Sequence, residues 1–158
     1  MPPISTFGCR WLAVMLVGWA LLRADPAGAC TVSASGVAFG AYDTMSPAPD
    51  DSAGDVTIVC HPSVGAPIVA LGAGISGLFS PRTMSSGAAT LDYNLYTSAT
   101  YSLVWGSGVG GSATVTLSGG TVSAGQRTFT RTIYGRIPPG QQVPAGTYAD
   151  TIMVTVIF

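Results

Sequence analysis

Tyr148-Ala-Asp-Thr-Ile-Met-Val-Thr-Val-Ile-Phe158 is the stretch whose reading decides the fold. Ile152, Val154, Val156 and Phe158 fall on one face, and Thr151, Met153, Thr155 and Ile157 on the other. Successive side chains of an extended chain point to opposite sides, so a period of two over eight residues reads as a β-strand. Its β-branched residues suit a pleated, half-buried surface. No polar segment follows Phe158 to cover this strand. The expectation is therefore an apolar edge and groove in need of a partner.

The same grammar continues upstream in shorter pieces, separated by Gly, Pro, Ser and Asp. Strands are expected within 31–41, where Val37, Phe39 and Ala41 alternate, and at 55–60, 67–71, 91–97, 113–117 and 127–137. Residues 100–105 are expected to return as the hairpin partner of 91–97. Residues 45–54 and 138–146 read as loops, and 72–81 is Gly-rich without a clear period. On 91–97, Leu91, Tyr93 and Leu95 share one face. On 127–137 the buried face is not decided by pattern. Beyond Cys30 no window sustains a helical period, and the chain contains no Lys and no Glu. Those residues favour helices and are depleted in strands. Seven or so short strands with turn signals between them give an all-β sandwich.

The N-terminus reads as an export signal. Arg10 precedes an uncharged apolar run of 12 residues, Trp11 to Leu22, well short of the roughly 20 needed to span a bilayer as a helix. Asp25-Pro26 and the A-x-A pattern Ala27-Gly28-Ala29 follow, which sets the expected cut between Ala29 and Cys30. The domains are then 1–29, cleaved, and 30–158, with no later membrane span. Past the cut, Arg82, Arg127, Arg131 and Arg136 stand against six aspartates. There is no basic footprint for nucleic acid. Cys9 leaves with the signal, so Cys30 and Cys60 remain as a pair. In an oxidising compartment they are expected to bridge, closing a loop worth about 3–4 kcal/mol on the chain-entropy argument. The competing reading is lipid attachment to Cys30. It wants a larger apolar residue three positions upstream, where Ala27 stands.

Chemistry-bearing groups are scarce. His61 is the single histidine. Next to Cys60 it reads as a strand-end residue rather than the base of a triad. Cys60-His61 falls short of the four ligands of structural zinc, and Asp50-Asp51 read as solvated turn residues. Gly106, Gly108 and Gly111 fit G-x-G-x-x-G, but Thr114, Val115 and Leu117 follow as a strand where dinucleotide binding needs a helix. Tyr93, Tyr96, Tyr101 and Trp105 are either a sugar-binding platform or packing aromatics, the commoner use. No catalytic residue, metal or cofactor is expected.

Several stretches resemble one family. They are Cys30-Thr31-Val32-Ser33-Ala34 with Val37 to Asp43, Val56 to Cys60, Leu91 to Thr97, Trp105-Gly106, Ile133 to Pro138, and Val143 to Ile152. In order and spacing they are similar to the spore coat protein U domain, shared with subunits of Csu-type archaic chaperone–usher pili. The resemblance implies an immunoglobulin-like β-sandwich lacking one strand. A periplasmic chaperone fills the gap first, and a neighbouring subunit's N-terminal arm then replaces it by donor-strand complementation. It also implies an outer-membrane usher and sister subunits as partners, with passage through the periplasm to the cell surface. The terminal strand face of Ile152, Val154, Val156 and Phe158 is the expected strand-acceptor groove. One departure stands out. A shaft subunit carries an alternating arm ahead of its first cysteine, whereas the expected mature chain begins at Cys30. The chain is therefore expected to accept a strand without donating one, as a tip, a terminator or a non-polymerising relative. The alternative is a self-sufficient secreted carbohydrate-binding module. A secreted hydrolase is remote, given so few acid–base groups.

Overall fold

The computed structural model describes residues 30–158. The expected signal segment lies outside the described residues. The strands are β1 (Thr31–Ala34), β2 (Asp50–Cys60), β3 (Ile68–Leu71), β4 (Arg82–Ser86), β5 (Ala89–Tyr96), β6 (Val115–Thr116), β7 (Thr121–Ser123), β8 (Gln126–Ile137) and β9 (Val154–Ile157). No helix occurs among the described residues, so none is long and apolar enough to cross a membrane.

The larger sheet runs β1-β2-β8-β5-β4, with β7 also paired to β8, and the smaller runs β6-β3-β9. Every pairing is antiparallel. Alternation decides which side chains meet between the sheets. Val56, Ile58 and Cys60 of β2 are buried, as are Val69 and Leu71 of β3, Leu91, Tyr93 and Leu95 of β5, and Phe129, Ile133 and Ile137 of β8. These side chains form one cluster spanning both sheets. At about 1.5–3 kcal/mol per fully buried apolar side chain, this layer supplies the main driving force.

Trp105 sits at its centre with no exposed surface. Its indole N–H donates to the Val69 carbonyl at 3.0 Å in one sheet. Its backbone N–H donates to the Leu95 carbonyl at 2.9 Å in the other. The segment expected as a hairpin partner, 100–105, is therefore not a strand. It meets β5 through a bridge between Tyr96 and Val104 and the edge-on ring pair Tyr96–Tyr101, and then crosses between sheets. The actual neighbours of β5 are β4 and β8.

Two further expectations are corrected, and one hairpin is new. Residues 50–54 belong to β2, not to a loop, because β8 is long enough to pair with all of Asp50–Cys60. The chain at 37–41 is not a strand. Val37 and Phe39 instead lie over Gly135 of β8, where a Cβ would come within 2.5 Å of Val37 and 2.7 Å of Phe39. Only glycine leaves room for that segment to settle. The hairpin β7–β8, absent from the sequence reading, turns through Ala124 and Gly125 at φ +48° and +73°. Two central residues at positive φ suit a tight hairpin turn, but alanine there hides the signal.

Cys30 and Cys60 are disulfide-bonded. The bridge ties the start of β1 to the end of β2, beside the Thr31–Val59 pair. It matters because all four residues of β1 are exposed and none belongs to the buried core. The double change Cys30→Ser with Cys60→Ser is expected to cost about 2–5 kcal/mol and to release β1 first. Urea midpoints and amide exchange at Thr31–Ala34 would measure both effects. Unchanged protection in β1 would contradict this account.

Candidate functional site: an apolar trough between two open edges

Antiparallel β1 has a partner on one side only, β2, and β9 has a partner on one side only, β3. Each therefore presents a free edge among the described residues. Between the chain leaving β1 and the chain entering β9 lies a cavity of about 290 Å³. Ser35, Gly36, Val37 and Phe39 form one wall, and Asp150, Ile152 and Val154 the other. The floor is core, made of Leu71, Met84, Tyr93, Leu95 and Ile133. A second cavity of about 790 Å³ shares Val37, Phe39 and Met84 and continues past Tyr42, Leu91, Ile137, Val143 and Tyr148. Together they make one apolar trough.

Of the four expected groove residues, Ile152 and Val154 line this trough. Val156 is half-buried against the core cluster. Phe158 is 67% exposed and outside the lining. β9 begins only at Val154, because residues 149–153 cross from one sheet to the other. Ala149 exchanges both backbone hydrogen bonds with Ser85 of β4, and the Met153 carbonyl accepts from Gly72 N–H at 2.8 Å beside β3.

Asp150 fixes that crossing and Arg82 ties together the core beside it, and the sequence reading gave neither a role. Asp150 Oδ2 accepts from the Tyr93 hydroxyl at 2.6 Å, and its Oδ1 accepts from the N–H groups of Ile75 and Thr151 at 2.8 and 2.7 Å. Burial, then the Asp150 hydrogen bond, pushes the Tyr93 phenol far above the usual phenol range. The phenol stays protonated and remains a donor to Asp150. Arg82 lies close by with no exposed surface. Its Nε and Nη2 donate to the Gly72 carbonyl at 3.0 and 2.8 Å. Nη1 donates to Asn94 Oδ1 at 2.7 Å, and Nη2 also to the Trp105 carbonyl at 2.7 Å. Burial lowers the pKa of the guanidinium, while Tyr93 and Asp150 act in the opposite direction. A signal for Arg82 did exist. Arg82 and Met84 alternate on one face of a short run, and both are buried.

The remaining candidates lie elsewhere. His61 Nδ1 is 2.8 Å from Ser63 Oγ at the end of β2. Asp50 and Asp51 are strand residues rather than turn residues, and Arg136 donates to both oxygens of Asp51 at 2.6 and 2.8 Å. Tyr93 and Trp105 are buried at 4% and 0% exposure, which removes two of the four aromatics from any sugar platform. Among the described residues no three His, Cys, Asp or Glu side chains are grouped to hold a metal.

A family model described as the Spore Coat Protein U domain matches residues 19–155. Protein U of Myxococcus xanthus is 35% identical over 88 residues, which is 54% of this chain and 45% of that protein. Among solved structures, the fold is similar to the CsuC–CsuE chaperone–tip adhesion subunit pre-assembly complex from archaic chaperone–usher Csu pili of Acinetobacter baumannii. That likeness has a TM-score of 0.54 at 24% identity and covers 83% of this chain and 40% of the other. The chain thus spans less than half the length of either relative.

Proposed function

The chain belongs to the spore coat protein U domain family, and from that premise we propose that it is an exported, non-enzymatic subunit of a surface pilus or coat. Its incomplete sandwich is finished by a strand from another chain. The observation that carries this reading is the trough floored by core residues between the unpaired edges of β1 and β9. A core left open along a line between two free edges is an aggregation hazard unless a strand covers it. An added strand satisfies backbone groups and places alternate side chains in the trough. Ile152, Val154 and Val156 form the acceptor wall, and Phe158 extends the same face beyond it.

The occupants are a periplasmic chaperone during transit and a sister subunit's arm afterwards, with an outer-membrane usher between the two stages. The likeness to a chaperone–tip adhesion subunit pre-assembly complex supports the chaperone stage. Cleavage before Cys30 leaves no arm upstream of β1, and the subunit then occupies a tip or terminal position. Buried Tyr93 and Trp105 weigh against the alternative of a self-sufficient sugar-binding module resting on those rings.

Val154→Asp is expected to abolish co-purification of a chaperone or sister subunit, because a carboxylate would be forced into the trough. Thr155→Asp, on the exposed face of the same strand, is expected to leave it intact. Equal capture by the two variants would overturn strand acceptance. Mass spectrometry of the assembled protein is expected to give an N-terminus at Cys30. A start well upstream of Ala29 would overturn the terminal position alone.

A further inference from the structure

β8 pairs with β2 from Arg127 to Ile137, but its other edge is interrupted. β7 covers residues 126–128 and β5 covers 134–136. Among the described residues, 129–133 have no strand partner on that side, which leaves a notch in the larger sheet. Cavities of about 460 and 210 Å³ open at it, and both are lined by Thr130 and Arg131. The smaller one is completed by Thr97, Ser98, Thr132 and Tyr134. Neither shares a residue with the trough.

The lining is unusual for this chain. Of the four guanidinium groups among the described residues, Arg82 is consumed in the core and Arg136 is paired with Asp51. Arg127 is half-buried and donates to the Val64 carbonyl at 3.0 Å. Arg131 is exposed, has no carboxylate within ion-pair distance, and donates from Nη2 alone to the Thr97 carbonyl at 3.1 Å. Its remaining N–H groups are available to a ligand. Thr132 Oγ1 donates to Asp55 Oδ1 at 2.8 Å, which commits its proton and leaves the oxygen as an acceptor. The Tyr134 ring is set edge-on to Tyr101 at 6.5 Å, and Tyr101 edge-on to Tyr96 at 5.5 Å.

We propose that this notch binds a carboxylate-bearing sugar, such as a uronate unit of an acidic polysaccharide. Small hydroxyl side chains match the alternating donors and acceptors of a polyol. A fixed aromatic ring offers a face to its C–H groups. A guanidinium fork takes a carboxylate through two parallel hydrogen bonds. The occupant is compact rather than a peptide strand. β7 and β5 close the notch at both ends, and five residues at ~3.3 Å each leave only about 16 Å between them. Two adjoining cavities suit two linked sugar units.

Calorimetric titration of the full secreted chain with trigalacturonate tests this, alongside neutral maltotriose and a Thr-Val-alternating hexapeptide. Binding of trigalacturonate is expected, with little heat from the other two. Arg131→Gln is expected to weaken it by about tenfold or more, a loss suited to one charge-assisted contact. Thr130→Val should weaken it less, with only the small fall in melting temperature that loss of the exposed 3.3 Å hydroxyl contact to Thr57 brings. The proposal is overturned by absence of trigalacturonate binding, by undiminished binding in Arg131→Gln, by maltotriose binding as tightly, or by the hexapeptide competing for the site.

Discussion

Replacing Arg82 with alanine is expected to leave the protein unable to accumulate in folded form. The side chain has no exposed surface and donates to Gly72 O, Trp105 O and Asn94 Oδ1. Truncation would leave the Gly72 and Trp105 carbonyls buried and unpaired, each costing about 1–3 kcal/mol, and would leave Asn94 Oδ1 with the Leu95 N–H as its one donor. It would also open a cavity beside Trp105, which adds a further penalty. The sum approaches the roughly 5–15 kcal/mol that holds a whole domain together. Arg82→Lys keeps the charge, but a flexible ammonium cannot reproduce the planar fork that joins residues 72, 94 and 105. It should fold with a urea midpoint clearly below that of the parent. Soluble yield and denaturant midpoints of both variants check the argument. An Arg82→Ala protein within about 0.5 kcal/mol of the parent, the range of ordinary surface changes, would show that the buried network contributes little.

The second large effect concerns the trough. A peptide with apolar residues at every second position should bind along the open edges of β1 and β9 and raise the melting temperature. At a concentration one hundred times its Kd, mass action adds about 2.7 kcal/mol. For a domain of this size that corresponds to an increase on the order of 10 °C. Fusing the same segment by a flexible linker should raise stability further, since tethering supplies a millimolar effective concentration. A peptide with its apolar residues shifted by one position is the matched control. A slip of one residue turns every apolar side chain away from the floor of Leu71, Met84, Leu95 and Ile133, so it should give no shift. Equal shifts from the two peptides, or none from either, would mean that the sandwich is complete without a donor strand.

These two results would test different parts of one design. Asp150 holds the crossing from β4 to β9 from within and Arg82 ties Gly72, Asn94 and Trp105 together beside it, while the donor strand covers the trough that the crossing leaves open. The Tyr93–Asp150 hydrogen bond joins them, because both residues also line the trough. A strand seated there would pack directly against the segment that Asp150 anchors.

Local pattern carried much of this molecule. The period of two in Ile152 to Phe158, the Leu91-Tyr93-Leu95 face and the lack of Lys and Glu determined an all-β chain, because side-chain alternation is a property of the extended backbone itself. Two cysteines past the expected cut determined the bridge. Only the tertiary structure decided which strands are neighbours, since pairing depends on residues far apart in sequence. That is why β2 starts at Asp50 opposite Ile137, why 100–105 leaves β5 for the other sheet, and why 37–39 lies over Gly135 instead of forming a strand. It alone decided that a lone arginine would be the most buried charge, through partners 10 to 23 residues away. The trough and the notch are products of the same cause. Each is a place where a strand edge lacks a partner, and a missing partner is a relation between distant segments that no local period records.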